Sequence, residues 1–531
     1  MDHISSKQLI PRLISYASEV RANESKLTSY AIDGKEDSAL SVQGAERSPS
    51  RMRRSLRVSP IVVLGFIPFF AVSSRLFPQT TSGTPSISLP GSQSPFQGSA
   101  PESTPTPQVL EIDFKEAIER GLRNNLGLLL AGDQEQVAHA QRWEALAELL
   151  PNISIRGLEA VQTESLTALG LRGNVFHVPV PRVIGPFNYF DLRANVFQTV
   201  LNYRSLERKR AASVSLKATQ LSLKDAREVV VLAVGNAYLE AIAAAARVET
   251  AAAQVTSAQA LNQKAVDQQR AGLSPAIDAL RSQVELQTRQ QQLIVARNEL
   301  AKTTLSVARI IGLPPGQQFV LTEKAPFQAL TPQPLETYLQ RAYASRADYQ
   351  AAQAQLQSAE LNRRAAVAGH YPSIDINANV GDIGVTPSQS NGTWQVIGGI
   401  NIPVFAGNRV HADILQADAQ LKQAHQQLGD LRGRIDYEVR SALLDLNAAA
   451  EQVSVARSSV ELAEQALAQS QDRFTAGVAD NLEVVQAQES VAAAHESYIQ
   501  SLYAHNLSKV ELAYAIGDAE QGVRRYLKGN Q

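Results

Sequence analysis

The sequence reads twice, and that duplication constrains the fold more than any single residue in it. Gln269-Arg-Ala-Gly272-Leu-Ser-Pro-Ala-Ile-Asp278 corresponds to Thr475-Ala-Gly477-Val-Ala-Asp-Asn-Leu-Glu483. Arg309-Ile-Ile-Gly312-Leu corresponds to Tyr514-Ala-Ile-Gly517-Asp. The offset is the same in both cases (477 − 272 and 517 − 312 are both 205), so the helical halves align without a gap. Upstream, a helical stretch runs into Pro151-Asn-Ile-Ser-Ile in one copy and Pro372-Ser-Ile-Asp-Ile in the other. A repeat of this length describes the architecture of the chain and excludes a set of unrelated small domains.

Each copy carries the same order of elements. A short amphipathic helix begins at Phe114 or Leu335, and a second helix follows to the proline. Two segments of period two come next, which predict strands with one apolar and one polar face. In the second copy they are about 372–381 and 393–404, with Ile374, Ile376, Ala378 and Val380 on one face and Trp394, Val396, Ile400, Ile402 and Val404 on another apolar row. In the first copy they are about 151–165 and 187–199, where Phe190, Leu192, Ala194 and Val196 alternate with Asp191, Arg193 and Asn195. The 151–165 segment has the weaker pattern, because Glu159 falls on the side of Ile153, Ile155 and Gly157.

Very long helices are predicted after the strands, about 201–270 and 407–475, with return helices about 274–311 and 480–517. At 1.5 Å per residue each long helix extends roughly 100 Å, too long for a compact globule of this chain length. Leu446, Val453, Val460, Leu467 and Phe474 recur every seven residues, as do Leu216, Leu223, Val230 and Ala237. That spacing is the seam of coiled-coil packing. Composition agrees: 44% of residues are hydrophobic but only 6% aromatic, which suits closely packed helices more than a thick core. Gly272 and Gly477 stand where the chain turns back, as left-handed helix caps would. Pro151, Pro372 and Pro403 stand at the helix–strand junctions.

The duplicated part is divided as 109–323 and 324–531. Before it, residues 52–74 combine a basic start (Arg51 to Arg57), an apolar middle from Pro60 to Val72 and the small pair Ser73-Ser74. Those are the marks of a secretory signal peptide. Residues 1–51 are read as an extended leader or an over-extended gene start, with Met52 at the position of a normal start. Residues 75–108, rich in Ser, Thr, Pro and Gln, are read as a flexible lead-in.

Several function classes are excluded. A formal net charge of −1 leaves no electrostatic footprint for nucleic acid. With no cysteine there is no disulfide, thiol catalysis or lipid-modified N-terminal cysteine. The eight histidines show no HExxH spacing, and neither a phosphate-binding loop nor a nucleophile elbow occurs. No enzyme activity, cofactor or dedicated metal site is therefore expected. Four strands cannot span a membrane alone, since open edges are forbidden in lipid. Three chains would supply about twelve strands, within the range of outer-membrane barrels. The residues alone also fit a soluble coiled-coil rod, or a periplasmic adaptor of a secretion system, whose strands form a small cap.

The duplicated motifs, their order and the Ile-Gly-Leu-Pro ending at 311–314 resemble the TolC-like outer membrane efflux protein family over about 109–520. The resemblance implies a mainly helical fold with a membrane β-barrel part. It implies a homotrimer with a twelve-stranded β-barrel in outer-membrane lipid and a periplasmic α-barrel. The function implied is a passive exit duct of a tripartite efflux pump or a type I secretion system. Its tip would dock a periplasmic adaptor (membrane fusion protein) and an inner-membrane pump. The family's entrance has an acidic pair after the second turn. Its first position matches Glu483, and its second matches Gln486, which is uncharged. Three Glu483 carboxylates in a ring would favour cations and be able to bind divalent metal. The alternative is that Glu483 faces water or a neighbouring helix. In the family's polar latch the first-repeat acid matches Asp278, the tyrosine falls on Phe474 and the arginine on Ala479. Neither link can form in that way here, so Asp278 is expected to find Arg281 or Arg473, with a looser gate.

Overall fold

The computed structural model describes residues 94–101, 104–171, 174–175, 178–179, 181–323, 327–330, 333–479 and 481–522. The readings of 1–51 and 52–74 lie outside the described residues. In chain order the elements of the first repeat are β1 (Leu110–Ile112), α1 (Phe114–Asn124), α2 (Leu126–Ala147), β2 (Asn152–Glu164), β3 (Asn174–Val175), β4 (Val178–Pro179), β5 (Ile184–Leu201), α3 (Tyr203–Arg270), α4 (Ala276–Ile311) and β6 (Phe319–Leu321). The second repeat contains α5 (Leu335–Ser345), α6 (Ala347–Val367), β7 (Ser373–Gly384), β8 (Ser390–Asn401), α7 (Arg409–Thr475) and α8 (Asn481–Ala515). The chain is mainly helical with a smaller β part, as the sequence implies.

The strands form one antiparallel sheet in the order β2-β5-β7-β8. Its registers put like residues in rows. Ile155, Ala194, Val380 and Trp394 stand side by side, and so do Ile153, Val196, Ala378 and Val396. The opposite face carries the row Ser154, Asn195, Asn379 and Gln395, and next to it Arg156, Arg193, Gly381 and Thr393. Directly opposed residues share a face in an antiparallel pair, so one surface is apolar and the other polar. The apolar surface lies open in the single chain: Trp394 is 77% exposed and Ile155 71%. Glu159 pairs with Phe190, midway along β2. Two edges, β2 and β8, have no partner strand among the described residues.

The long helices pack where the two repeats meet. α1 begins with Asp113, whose carboxylate accepts the Glu116 backbone N–H at 2.7 Å. It buries Phe114, Ala117 and Ile118 against Val230, Val231, Val234 and Tyr238 of α3. Gly121 lies so close that an added Cβ would come within 2.6 Å of Val234, so a helix-weakening residue is retained for contact. Ile310 and Ile311 of α4 and Val510 of α8 complete this cluster. A second cluster joins Tyr338 of α5 and Tyr349 of α6 to Leu431, Ile435 and Val439 of α7 and Leu512 and Ile516 at the end of α8. We call these two clusters the hub. Arg346, just before α6, is buried in it and pairs with Asp348 at 2.7 Å and Glu438 at 2.6 Å. α3 contains a stretch apolar enough to cross a membrane by composition, but that stretch supplies the hub residues Val230 to Tyr238.

The end of the Pro-rich lead-in is more ordered than its composition suggests. Pro95–Gln97 forms a turn of 3-10 helix, and the Phe96 ring packs against Gly127. The Asn125 amide donates to the Phe96 carbonyl at 2.7 Å, and Leu126 N–H donates to the Gly98 carbonyl at 3.0 Å. Further along, the Gln317 side chain accepts from Thr106 N–H and donates to the Gln108 carbonyl. A composition rule undervalues one aromatic anchor with backbone pairing around it.

Candidate functional site at the hairpin tips

Each long helix ends in the same cap. Gly272 has φ +71° and Gly477 φ +72°, the left-handed region that favours glycine. The N–H of Leu273 donates to the Gln268 carbonyl and that of Val478 to the Arg473 carbonyl, closing the six-residue ring of a Schellman turn. No atom lies within 4 Å of a Cβ placed on either glycine. Backbone conformation, not lack of space, therefore selects glycine here. Leu273 (79%) and Val478 (67%) are left exposed at the two tips.

Behind the tips lies a small core. Phe474 is buried with Leu261 of α3 and Val484 of α8, and Leu467 packs against them. Lys264 Nζ sits 5.9 Å from the centroid of the Phe474 ring and also donates to Thr475 Oγ1. Phe474 is thus a packing residue joining both hairpins. Ala479 is half-buried beside the turn.

The acidic positions differ in their partners. Glu483, half-buried in the first turn of α8, meets Arg473 Nε at 3.1 Å, and Ser470 Oγ lies 3.5 Å away. Arg473 is therefore with Glu483, and Asp278 finds the other expected partner, Arg281, at 3.8 Å. Asp278 is buried, while Gln486 is exposed on α8. Glu483 and Arg473 both belong to the second hairpin, so their pair does not tie it to the first.

A buried link that crosses between the hairpins, beside the exposed one from Lys264 to Thr475, is one that sequence reasoning missed. Asn481 is fully buried and its amide donates to the Asp278 carbonyl at 2.9 Å. The duplication holds a signal for it, because the 205-residue offset aligns Asn481 with the apolar Ala276. Higher up, Arg247 of α3 reaches Glu496 of α8 at 2.9 Å, and within α4 the buried Arg289 and Glu285 pair at 2.6 Å. Pro151 and Pro372 immediately precede β2 and β7, and Pro403 lies between β8 and α7. A missing N–H at those positions removes no ladder bond inside a strand.

The tip is an assembly of caps, one small apolar core and a few polar links, without a nucleophile–base pair. No cluster of three or more His, Cys, Asp or Glu side chains suited to a metal ion occurs among the described residues.

The sequence profile of the outer membrane efflux protein family matches residues 338–518. The pyoverdine export outer membrane protein OpmQ of Pseudomonas aeruginosa is 22% identical over 324 residues, which cover 60% of this chain and 67% of that protein. The probable efflux pump outer membrane protein TtgC of Pseudomonas putida is 27% identical over 180 residues, 32% of this chain and only 36% of its own length. The crystal structure of the outer membrane protein VceC of Vibrio cholerae superposes with a TM-score of 0.66 at 20% identity, covering 76% of this chain and 96% of that one. At that identity the likeness is one of fold.

Proposed function

Because the chain belongs to the TolC-like outer membrane efflux protein family, we propose that it is one subunit of a homotrimeric exit duct. The family is one of channel proteins, not enzymes. In this reading three four-stranded sheets close into a twelve-stranded barrel in outer-membrane lipid, and the helices form a tube in the periplasm. Substrate enters at the hairpin tips from a periplasmic adaptor and an inner-membrane pump, of either a tripartite efflux system or a type I secretion system. The energy comes from the pump, and the duct only opens.

The observation that carries this reading is the sheet. Its apolar face is exposed in rows four residues wide, and neither edge strand has a partner strand among the described residues. Open edges are not tolerated in hydrocarbon, where each unsatisfied group costs several kcal/mol, so closure through further copies is the way to bury them. The polar rows would then line the lumen. A soluble rod would need something else to cover Trp394 and Ile155.

At the entrance the proposal assigns Glu483 to the rim with Arg473 as its counter-charge, and Gln486 as an uncharged neighbour. Asp278 and Phe474 fasten the two hairpins, Ala479 fills the site of the missing arginine, and the tips at Gly272 and Gly477 dock the adaptor. Pro151, Pro372 and Pro403 set the change of direction between tube and barrel.

Membrane fractionation and cross-linking test it. The absence of native cysteine lets pairs be introduced cleanly, one on β2 (Ile153 or Ile155) and one on β8 (Val396 or Ile400). Disulfide-linked trimers in the outer-membrane fraction are the expected result. A monomeric periplasmic species that never cross-links overturns the duct.

A further inference from the structure

The row Arg156, Arg193, Gly381 and Thr393 crosses all four strands on the polar face of the sheet, with two arginines and no carboxylate. Arg156 of β2 stands directly opposite Arg193 of β5. Like charges in that relation weaken a strand pair, so the arrangement works against the sheet that contains it. The two guanidiniums are not equivalent. Arg193 is tied along the wall, with Nε donating to Asp191 at 2.9 Å and Nη1 to Asn379 at 2.8 Å, and its side chain is only 23% exposed. Arg156 is exposed, and its side chain has neither an ion pair nor a hydrogen bond among the described residues.

Closing the barrel does not answer that charge. β2 is an edge strand, and in the proposed trimer it pairs with β8 of the neighbouring subunit. β8 contains no charged residue anywhere from Ser390 to Asn401. That pairing therefore brings no carboxylate beside Arg156 from β8, whatever its register. Within the sheet, Glu159 and Asp382 belong to the opposite face, and Asp191 is already held by Arg193. The remaining acids on the polar face, Asp375 and Glu164, stand six and eight residues along their strands from the arginine row. At 3.4 Å per residue that is roughly 20 Å or more. The Debye length is about 8 Å at physiological ionic strength, so neither acid offsets Arg156 there.

We propose that Arg156, repeated three times around the barrel, is a selectivity-determining residue that favours anions in the lumen. The proposal rests on the duct reading and names a class of solute for it. A guanidinium is permanently charged and offers a planar fork of donors that suits carboxylate and phosphate oxygens. Small anions, and the anionic ends of larger solutes, would pass three such groups more readily than cations do. Charges elsewhere in the conduit set the baseline, so the contribution of Arg156 is read as a change from the parent.

The experiment uses the full-length protein reconstituted in planar lipid bilayers, with reversal potentials measured in a KCl gradient. Arg156→Gln should lower the chloride-to-potassium permeability ratio about twofold or more at low ionic strength, where the Debye length reaches about 30 Å, and the effect should fade towards about 1 M salt. Arg156→Lys keeps the charge and should keep the parent ratio. Arg156 has no partner to lose in the sheet, and its removal relieves a like-charge pair, so Arg156→Gln should assemble and melt no lower than the parent. Channels with the same ratio in the parent and in Arg156→Gln, or a ratio that falls equally in Arg156→Lys, overturn the role of Arg156 and leave the duct intact. Absence of any channel from the parent protein overturns the duct reading itself, and this inference with it.

Discussion

The hub and the hairpin tips are built from the same duplicated helices, yet they are held in different ways. At the hub, 33 buried side chains from both repeats share two clusters, 21 in one and 12 in the other, and Arg346 ties α6, α7 and the end of α8 through Asp348, Glu438 and the Ala515 carbonyl. At the tips, one cluster of Leu261, Phe474 and Val484 and one buried amide link do the same work. Local stability follows the density of buried contact, so helices that are continuous along their length are firm at the hub and easily parted at the tips. The proposed duct, gated at its tips, would need that gradient.

The largest expected effect breaks the hub. Arg346→Met removes a guanidinium and leaves the Asp348 and Glu438 carboxylates without it, a change that typically costs about 3–5 kcal/mol. The thermal transition should fall by more than for any tip variant. If Arg346→Met melts no lower than Asn481→Ala, the contrast between hub and tip is wrong.

Matched truncations sharpen it. Ile435→Ala in the hub should cost roughly 2–5 kcal/mol, and Phe474→Ala has a nominal cost of about 3–5 kcal/mol by residue type. We expect the larger fall in melting temperature from Ile435→Ala all the same, because Phe474 secures only the tip. Hydrogen exchange should separate them, rising around 467–484 for Phe474→Ala and throughout the chain for Ile435→Ala. Uniform exchange in both variants would mean that the helices open as one unit.

Acid should act on α8 beside the hub. His505 of α8 is fully buried against the Phe327 ring, 5.0 Å between centroids, and neither ring nitrogen has a partner. Burial, and then the positive charge of Lys509, hold its pKa down at about 4. The unfolded imidazole titrates near 6.5. Above that pH both states are neutral and the full stability is present. As pH falls from about 6.5 to about 4, the unfolded state takes up the proton first, and up to about 3 kcal/mol is lost. His505→Leu should flatten the melting temperature over that window. A variant with the same pH slope would place the acid sensitivity elsewhere.

What could be read from sequence divides along the same line. Duplication, period-two segments and the heptad stripe are patterns within a few residues of one another, and they reveal strands, long helices and turning glycines directly. The order β2-β5-β7-β8 contains a pairing between repeats, β5 with β7, that no local pattern encodes. At the tip, residue types were legible but their partners were not. Asp278 was open to either Arg281 or Arg473, and the structure gives it Arg281 while Arg473 meets Glu483. No local pattern singles out Asn481, whose amide reaches a backbone carbonyl 203 residues earlier. Phe96 escaped notice because proline and serine around it set the composition.

Losing the Asn481 amide by Asn481→Ala should cost only about 1 kcal/mol, the usual net worth of one neutral hydrogen bond. It should nonetheless loosen the hairpins, raising the open probability of reconstituted channels without moving the main melting transition. An unchanged open probability would mean that the Phe474 core alone holds the entrance.

Arg473→Gln is the smallest change in stability and the most informative about the entrance. Both side chains of the Arg473–Glu483 pair are substantially exposed, 56% and 40%, so the pair contributes between zero and about 1 kcal/mol and is screened by salt. In the proposed trimer, however, the guanidinium offsets the Glu483 carboxylate at the rim, and the intact duct should discriminate weakly between small ions. Removing Arg473 takes one positive charge per subunit from beside Glu483, so cation selectivity measured from reversal potentials in a salt gradient should rise. Glu483→Gln in the same background should abolish the gain, because no carboxylate remains there. Selectivity that ignores both substitutions would remove Glu483 from the conduction path and leave the tip as a mechanical closure only.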